Sequence, residues 1–110
     1  MIDRAAHFAE TVIEPFAHEW HRDQRFASEA IEAAGPAGLN GLLVEPALGG
    51  EGLGEVALAH VLEVLAAADL GAAFSLVVHN NMARAVATSG NTHLVEHLLP
   101  RLIAGDDLGA

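Results

Sequence analysis

Histidine and glutamate side chains at short spacing are the first residues to consider, because they can bind metal ions or transfer protons. His93, Glu96 and His97 form the pattern H-x-x-E-H. In inverted zinc peptidases, the two histidines of this pattern bind zinc and the glutamate acts as the base. No third ligand follows nearby in the sequence, so we interpret the histidines as part of a solvated helix face and predict no metal site.

Three further histidines present the same choice between chemistry and ordinary structure. His18 and His21 share a helical spacing with Glu14 and Glu19, and we interpret this cluster as a polar surface rather than a metal site. His60 lies between apolar residues, where we expect a histidine at the edge of the core with one hydrogen bond. Spacing assigns it no nucleophile or acid partner, so we predict no catalytic role for His60.

A glycine-rich run, Gly49-Gly50-Glu51-Gly52-Leu53-Gly54, raises the question of a phosphate-binding loop. It lacks the pattern G-x-G-x-x-G of dinucleotide-binding loops, because Glu55 stands where the last glycine should be. It also lacks the lysine of a Walker loop, since the chain contains no lysine. We therefore predict a tight turn in which the backbone approaches a neighbouring segment closely, and no cofactor-binding residue.

The sequence His79-Asn80-Asn81 stands among apolar residues in the middle of a helical pattern. Asparagine is a poor helix former and prefers caps and turns. One interpretation is that these side chains hydrogen-bond to a neighbouring loop or face a cavity. The other is that they form one face turned to water, and helix propensity does not decide between the two.

The overall charge excludes several classes of partner. The chain has a formal net charge of −10, and its five basic residues are all arginine. Such a surface repels nucleic acids and anionic membranes, so we expect neither as a partner. The absence of cysteine excludes disulfides, thiolate nucleophiles and cysteine zinc sites. No signal peptide and no apolar run of the ~20 residues that a membrane span needs is visible, and we predict a cytoplasmic location.

Apolar residues recur at steps of three and four along the chain, which is the spacing of an amphipathic helix. They make up 52% of the sequence, enough for a hydrophobic core. We predict a single all-α domain over residues 1–110 with about five helices. The first helix should run from Ile2 to Trp20 with a kink at Pro15, and the second should begin at a Ser28 cap and fray early.

The remaining three helices follow from their own caps and breakers. The third is predicted over residues 55–68, with Asp69 closing it. The fourth is predicted over residues 72–89. The fifth should begin with Thr92 as its cap and be interrupted at Pro100. The third and fourth helices carry more apolar residues than five short helices can bury, so we expect an exposed apolar surface on them.

Four stretches of the chain follow one another in an order and spacing shared with a known family. Ala17-His18-Glu19-Trp20 is similar to A-x-E-W-D at the end of a first helix, and residues 38–44 with 49–54 are similar to G-L-x-G-L-x-V followed by G-G-x-G-L. Residues 62–69 are similar to L-E-E-L-A-x-A-D, and residues 99–110 to L-P-R-L-x-x-G followed by x-G-A. Together they resemble the N-terminal helical domain of acyl-CoA dehydrogenases.

This resemblance implies a chemistry and a domain order. The family removes hydrogens from Cα and Cβ of an acyl-CoA thioester, with a glutamate taking the α proton and the N5 atom of FAD taking the β hydride. A β-domain and a C-terminal helical domain follow the N-terminal domain, and the flavin-contacting T-E-P strand normally begins just after the position of Ala110. We therefore expect the β-domain, the C-terminal domain and the catalytic glutamate to be absent here. The chain alone should bind no FAD and catalyse nothing.

The resemblance also implies substrate contacts. In the family, the fourth helix and the loop before it help to line the pocket for the acyl tail. Carried over by position, the candidates are Phe74, Ser75, Val78 and Met82, with ordinary core packing as the alternative for each. Acyl-CoA and an electron-transfer partner would be partners of the full-length parent enzyme, which we expect to be a homo-oligomer. Two other functions stay open: a flavin monooxygenase or nitroalkane oxidase of the same fold, and a non-catalytic helical interaction module.

Overall fold

The computed structural model describes residues 1–15 and 26–106, and only the backbone of residues 26–28. His18, Glu19, His21 and the motif around Trp20 therefore lie outside the described residues. Within the described ranges the chain forms α-helices and no strand, which confirms the predicted all-α fold. The α-helices are α1 (Ile2–Phe8), α2 (Phe26–Ala37), α3 (Glu55–Ala68), α4 (Leu70–Ala87), α5 (Thr92–His97) and α6 (Leu99–Ala104). None of the described helices combines the length and hydropathy that a membrane crossing requires.

The first helix changes its geometry ahead of Pro15. A π-helical turn, Ala9–Ile13, follows α1 directly, and the amide of Glu14 donates to the carbonyl of Ala9. Proline lacks an amide donor and its ring crowds the preceding turn. A wider turn upstream accommodates both effects, and π-turns inside α-helices are usually single turns of this kind.

Helix α2 differs from the prediction at both ends. Phe26 and Ala27 are already helical, so Ser28 lies inside the helix and is not its N-cap. It also continues through Gly35 and Pro36 to Ala37, where we expected early fraying. Tertiary packing explains the late end, because a Cβ atom at Gly35 would overlap the carbonyl oxygen of Ala104 in α6. The glycine thus permits a close helix contact that stabilises the last turn of α2.

Asp69 and Asn91 begin the helices that follow them. The Oδ2 atom of Asp69 accepts a hydrogen bond from the amide of Ala72 at 2.8 Å, so this residue caps α4 in addition to ending α3. The Oδ1 atom of Asn91 accepts from the amide of Leu94 at 3.2 Å, so Asn91 and not Thr92 is the cap of α5. Side-chain acceptors at this position satisfy amides of the first turn.

The predicted fifth helix is divided in two. Helix α5 ends before Leu98, and Pro100 lies in the first turn of α6, where a missing amide donor costs nothing. The φ angle of Gly105 is +88°, which ends α6 in the left-handed conformation. The interruption was predicted at Pro100, and the structure places the break just before it.

Helix α4 is the central element of the molecule. Its first half packs in the larger hydrophobic cluster, with α1, α2 and α3. Ala83 and Val86 in its second half join a smaller cluster with Leu99 and Leu102 of α6. Every other element is therefore positioned directly or indirectly by α4.

Candidate functional site

One face of α4 exposes large apolar side chains. Leu70 is 73% exposed, Phe74 67% and Met82 42%, while Val78 is half-buried. These residues follow one another at intervals of four, so they form one stripe along the helix. Ser75 is half-buried beside the stripe. The structure therefore brings the four predicted substrate-binding residues together, and their role in binding stays a prediction.

The opposite face of α4 forms the core contact. Its buried apolar residues are mostly small: Ala72, Ala73, Leu76, Ala83 and Val86. Two polar side chains, His79 and Asn80, are also fully buried on this face. Core packing is thus no explanation for Phe74 and Met82, because the core lies on the other side of the helix.

Asn80 connects α4 to the loop between α2 and α3. Its Oδ1 atom accepts from the amide of Leu42 at 2.8 Å, and its Nδ2 atom donates to the carbonyls of Leu39 at 2.9 Å and Leu76 at 2.8 Å. Asn81 is exposed and accepts from Arg84 at 3.2 Å. The interpretation of hydrogen bonds to a neighbouring loop therefore holds for Asn80, and the interpretation of a face turned to water holds for Asn81.

The glycine-rich run folds back on the same loop. The amides of residues 49–53 donate to backbone carbonyls between residues 41 and 46, at distances of 2.8–3.1 Å. A Cβ atom at Gly50 would overlap the carbonyl oxygen of Val44. These contacts confirm the predicted tight turn and close backbone approach. They also leave no amide of residues 49–53 available to hold a phosphate.

His79 is the buried histidine of this region. Its Nε2 atom lies 2.6 Å from the carbonyl oxygen of Leu102 in α6. Burial lowers the pKa of His79 below its usual value, and the hydrogen bond to Leu102 partly opposes this shift. His79 lies three residues after Leu76 and four before Ala83, and this spacing is the sequence signal that could have indicated its burial.

His60 lies elsewhere than predicted. It is exposed on α3, with Nδ1 3.9 Å from Oε2 of Glu63, rather than at the edge of the core. The buried residues of α3 are Leu58, Val61 and Leu65, so His60 points away from that stripe. The prediction from its apolar neighbours was wrong because α3 also carries apolar residues outside its buried face.

His93 and His97 are exposed on α5, with ring centroids 4.6 Å apart. Over residues 1–15 and 26–106, no three histidine, aspartate or glutamate side chains come together in a group suited to a metal ion. The H-x-x-E-H pattern thus has two adjacent imidazoles and no third protein ligand among the described residues. This geometry is that of two histidines on a polar helix face.

The described residues also line two grooves. One, of about 670 Å³, lies between α1 and α2 and is lined by residues such as Phe8, Val12 and Ala37. Arg4 at its rim pairs with Glu51 at 3.0 Å. A second, of about 220 Å³, is lined by residues of the loop and of the C-terminal end of α4. None of the four predicted substrate-binding residues lines either groove, so their exposed face is a separate surface.

Comparison with known proteins identifies the family to which the chain is similar. Residues 1–106 match the family model described as acyl-CoA dehydrogenase, N-terminal domain. Isobutyryl-CoA dehydrogenase, mitochondrial, from Dictyostelium discoideum is 26% identical over 106 residues, which cover 96% of this chain and 26% of that protein. (2S)-Methylsuccinyl-CoA dehydrogenase from Cereibacter sphaeroides is 32% identical over 108 residues, 96% of this chain and 20% of the relative.

A third relative is named as a reductase rather than as a dehydrogenase. Acryloyl-CoA reductase (NADH) from Anaerotignum propionicum is 30% identical over 106 residues, 96% of this chain and 27% of that protein. The chain therefore spans between 20% and 27% of the length of these relatives. The match over residues 1–106 shows that the chain belongs to the acyl-CoA dehydrogenase family and corresponds to its N-terminal domain.

Proposed function

We propose that the chain is the N-terminal domain of an FAD-dependent acyl-CoA dehydrogenase, which forms α,β-unsaturated thioesters from acyl-CoA. Within that enzyme, the exposed face of α4 lines part of the acyl-chain pocket. The observation that carries this proposal is the stripe of Leu70, Phe74, Val78 and Met82, held toward solvent by a helix whose other face is packed. The three relatives are all named for CoA thioesters, which supports the substrate class.

The side chains of the stripe suit an acyl tail. Each methylene that moves from water onto an apolar surface contributes up to about 0.8 kcal/mol when fully buried. Phe74 offers a flat apolar surface, and the flexible thioether of Met82 adapts to chains of different shape. Ser75 adds a hydroxyl beside the stripe. Mostly apolar walls with few polar groups are typical of small-molecule sites.

Amides of the glycine-rich run and the side chains of Arg4 and Arg84 already have partners within the chain, which disfavours a flavin site formed by them. The amides of residues 49–53 are already bonded to backbone carbonyls. Arg4 pairs with Glu51, and Arg84 pairs with Glu55 at 3.1 Å. A net charge of −10 further disfavours a pyrophosphate. We therefore propose that FAD and the catalytic glutamate belong to other parts of the parent enzyme, along with the contacts to an electron-transfer partner and to other subunits.

Methionine methyl signals provide a direct test of the proposed pocket wall. The chain has two methionines: Met82 is on the exposed face, and Met1 packs against the core. With ¹³C-methyl-methionine labelling, titration with butanoyl-, hexanoyl- and octanoyl-CoA should move the Met82 signal increasingly with chain length. The Met1 signal and a titration with free CoA are the controls. A Met82 signal that responds to no acyl-CoA, or equally to free CoA, would contradict the proposal.

A further inference from the structure

The buried face of α4 has little in its apolar packing to define its orientation. Three of its five buried apolar residues are alanines: Ala72, Ala73 and Ala83. Small side chains form shallow ridges, and ridges packed into grooves are what set the relative position of neighbouring helices. Apolar burial is also non-directional. Packing alone therefore leaves the rotation of α4 about its axis weakly specified.

Two buried polar side chains supply the missing direction. Asn80 bonds to Leu39 and Leu42 in the loop on one side, and His79 bonds to the carbonyl of Leu102 in α6 on the other. Hydrogen bonds weaken steeply when their distance or angle departs from the preferred range. A rotation of α4 would break these bonds and leave buried donors and acceptors unpaired, which is costly.

We propose that Asn80, assisted by His79, is a positioning residue that fixes the rotation of α4 and so directs Phe74, Val78 and Met82 outward as one face. The assignment of that face to an acyl chain rests on the proposed function. Successive residues of an α-helix differ by about 100° around its axis. A rotation by one residue position would turn Phe74 out of the stripe, so the binding face exists only in the rotation that Asn80 selects.

The same side chain connects this face to the loop. Leu39 and Leu42, which it contacts, flank Asn40 and Gly41. The carbonyls of Gly41 and Leu42 accept from the amides of Glu51 and Leu53 in the glycine-rich run. Asn80 therefore lies at the base of the loop that follows α2, and a change in the rotation of α4 would be transmitted to residues 49–53.

Spin-label distances measure this rotation without relying on any activity. The chain contains no cysteine, so Ala47→Cys and Ala85→Cys place a nitroxide pair on exposed positions of the loop and of α4. In the parent pair, pulsed EPR should give one narrow distance distribution. Asn80→Leu, which keeps the branched shape of the side chain and removes all three side-chain hydrogen bonds, should shift or broaden it. A rotation by one residue would move a label at the helix surface by roughly 8 Å.

The matched control is Leu76→Ala. Leu76 is buried on the same helix face, and its shortening removes packing while its carbonyl still accepts from Asn80. This variant should melt at a lower temperature and retain the parent distance distribution. Asn80→Ser is the milder variant if Asn80→Leu does not fold, because it is smaller and adds no buried charge. Its hydroxyl can donate to the carbonyl of Leu76 one turn earlier but is too short to bond to Leu39 or Leu42, so its distribution should also shift or broaden.

Parent-like distributions in Asn80→Leu, or in Asn80→Ser when only that variant folds, would overturn the proposal. Unfolding of both variants would assign Asn80 to folding rather than to positioning, and would overturn it as well. The ¹³C titration then reports on function: Asn80→Ser should change the ratio of the apparent Kd values for butanoyl- and octanoyl-CoA several-fold, and Leu76→Ala should not. If acyl-CoA moves no Met82 signal even in the parent chain, the proposed function fails while the EPR result on positioning still stands.

Discussion

At the scale of single residues, His79 makes the stability of the domain depend on pH. Its pKa in the folded chain is lowered from 6.5 by burial. Below pH 6.5 the unfolded chain binds a proton at His79 that the folded chain does not, so stability is retained at higher pH and lost as pH falls. About 1.4 kcal/mol per pH unit is the upper limit of the slope for this one proton. Urea unfolding between pH 8 and 5 measures it.

Two substitutions separate this effect from other titrations. His79→Gln keeps an amide donor for the carbonyl of Leu102 and removes the titrating group, so it should flatten the dependence below pH 6.5. His60→Gln removes an exposed histidine and should leave the dependence unchanged. Equal slopes in the parent and in His79→Gln would show that His79 does not cause the loss of stability.

The buried side chains His79 and Asn80 show how much of the site a sequence alone can predict. The sequence did not decide whether His79 and Asn80 face the core, and the propensity of asparagine indicated only that it needs partners. The partners of Asn80 are Leu39 and Leu42, which lie about forty positions away along the chain. Only the fold brings them together. The prediction for His60 was wrong for a related reason, because apolar neighbours in the sequence do not indicate which side of a helix faces the core.

At the scale of elements, glycines permit the loop and helix contacts that shape the region beside α4. Gly50→Ala should destabilise the domain by about 1–3 kcal/mol, because its Cβ would overlap the backbone carbonyl of Val44, which cannot rotate away as a side chain could. Gly54→Ala is the matched control, since no atom lies within 4 Å of a Cβ there. It should cost less than about 1 kcal/mol, mostly through its N-cap position. Thermal melts that shift equally for both variants would contradict the predicted overlap.

Element boundaries were predictable to the extent that one signal dominated. The bounds of α3, Glu55–Ala68, agree with the prediction, because a glycine-rich run precedes it and a capping aspartate follows it. Asn91 was missed because Asn91 and Thr92 are adjacent candidate caps and both have suitable side chains. The end of α2 was predicted too early because glycine inside a helix is ordinarily a destabilising residue. Here Gly35 instead permits the close contact with α6.

At the scale of the whole molecule, the domain places its apolar residues both inside and outside. Its two hydrophobic clusters meet along α4, yet Val56, Leu70 and Phe74 are each more than 60% exposed. The composition predicted this excess of apolar surface, and the periodicity predicted its location on the third and fourth helices. The sequence could not tell whether Val78 would be sealed in the core, and the structure shows it half-buried.

The exposed stripe leads to a prediction for the isolated 110-residue chain. Leu70 to Met82 spans about 18 Å of helix at 1.5 Å per residue, and two copies of such a stripe can pack antiparallel with apolar side chains facing each other. Monomeric proteins seldom expose a contiguous apolar surface beyond a few hundred Å². We therefore expect concentration-dependent self-association of the chain through α4, measurable by sedimentation velocity and light scattering.

Phe74→Glu tests this association without disturbing the fold. Phe74 is 67% exposed, so the substitution should change the free energy of unfolding by less than about 1 kcal/mol. It places a charge in the centre of the apolar contact, where an unpaired charge is costly to bury, and should shift the chain toward monomer. Ala67→Glu adds the same charge at an exposed position of α3 and should leave association unchanged. A parent chain that stays monomeric at high concentration, or equal effects of the two substitutions, would show that the stripe does not drive self-association.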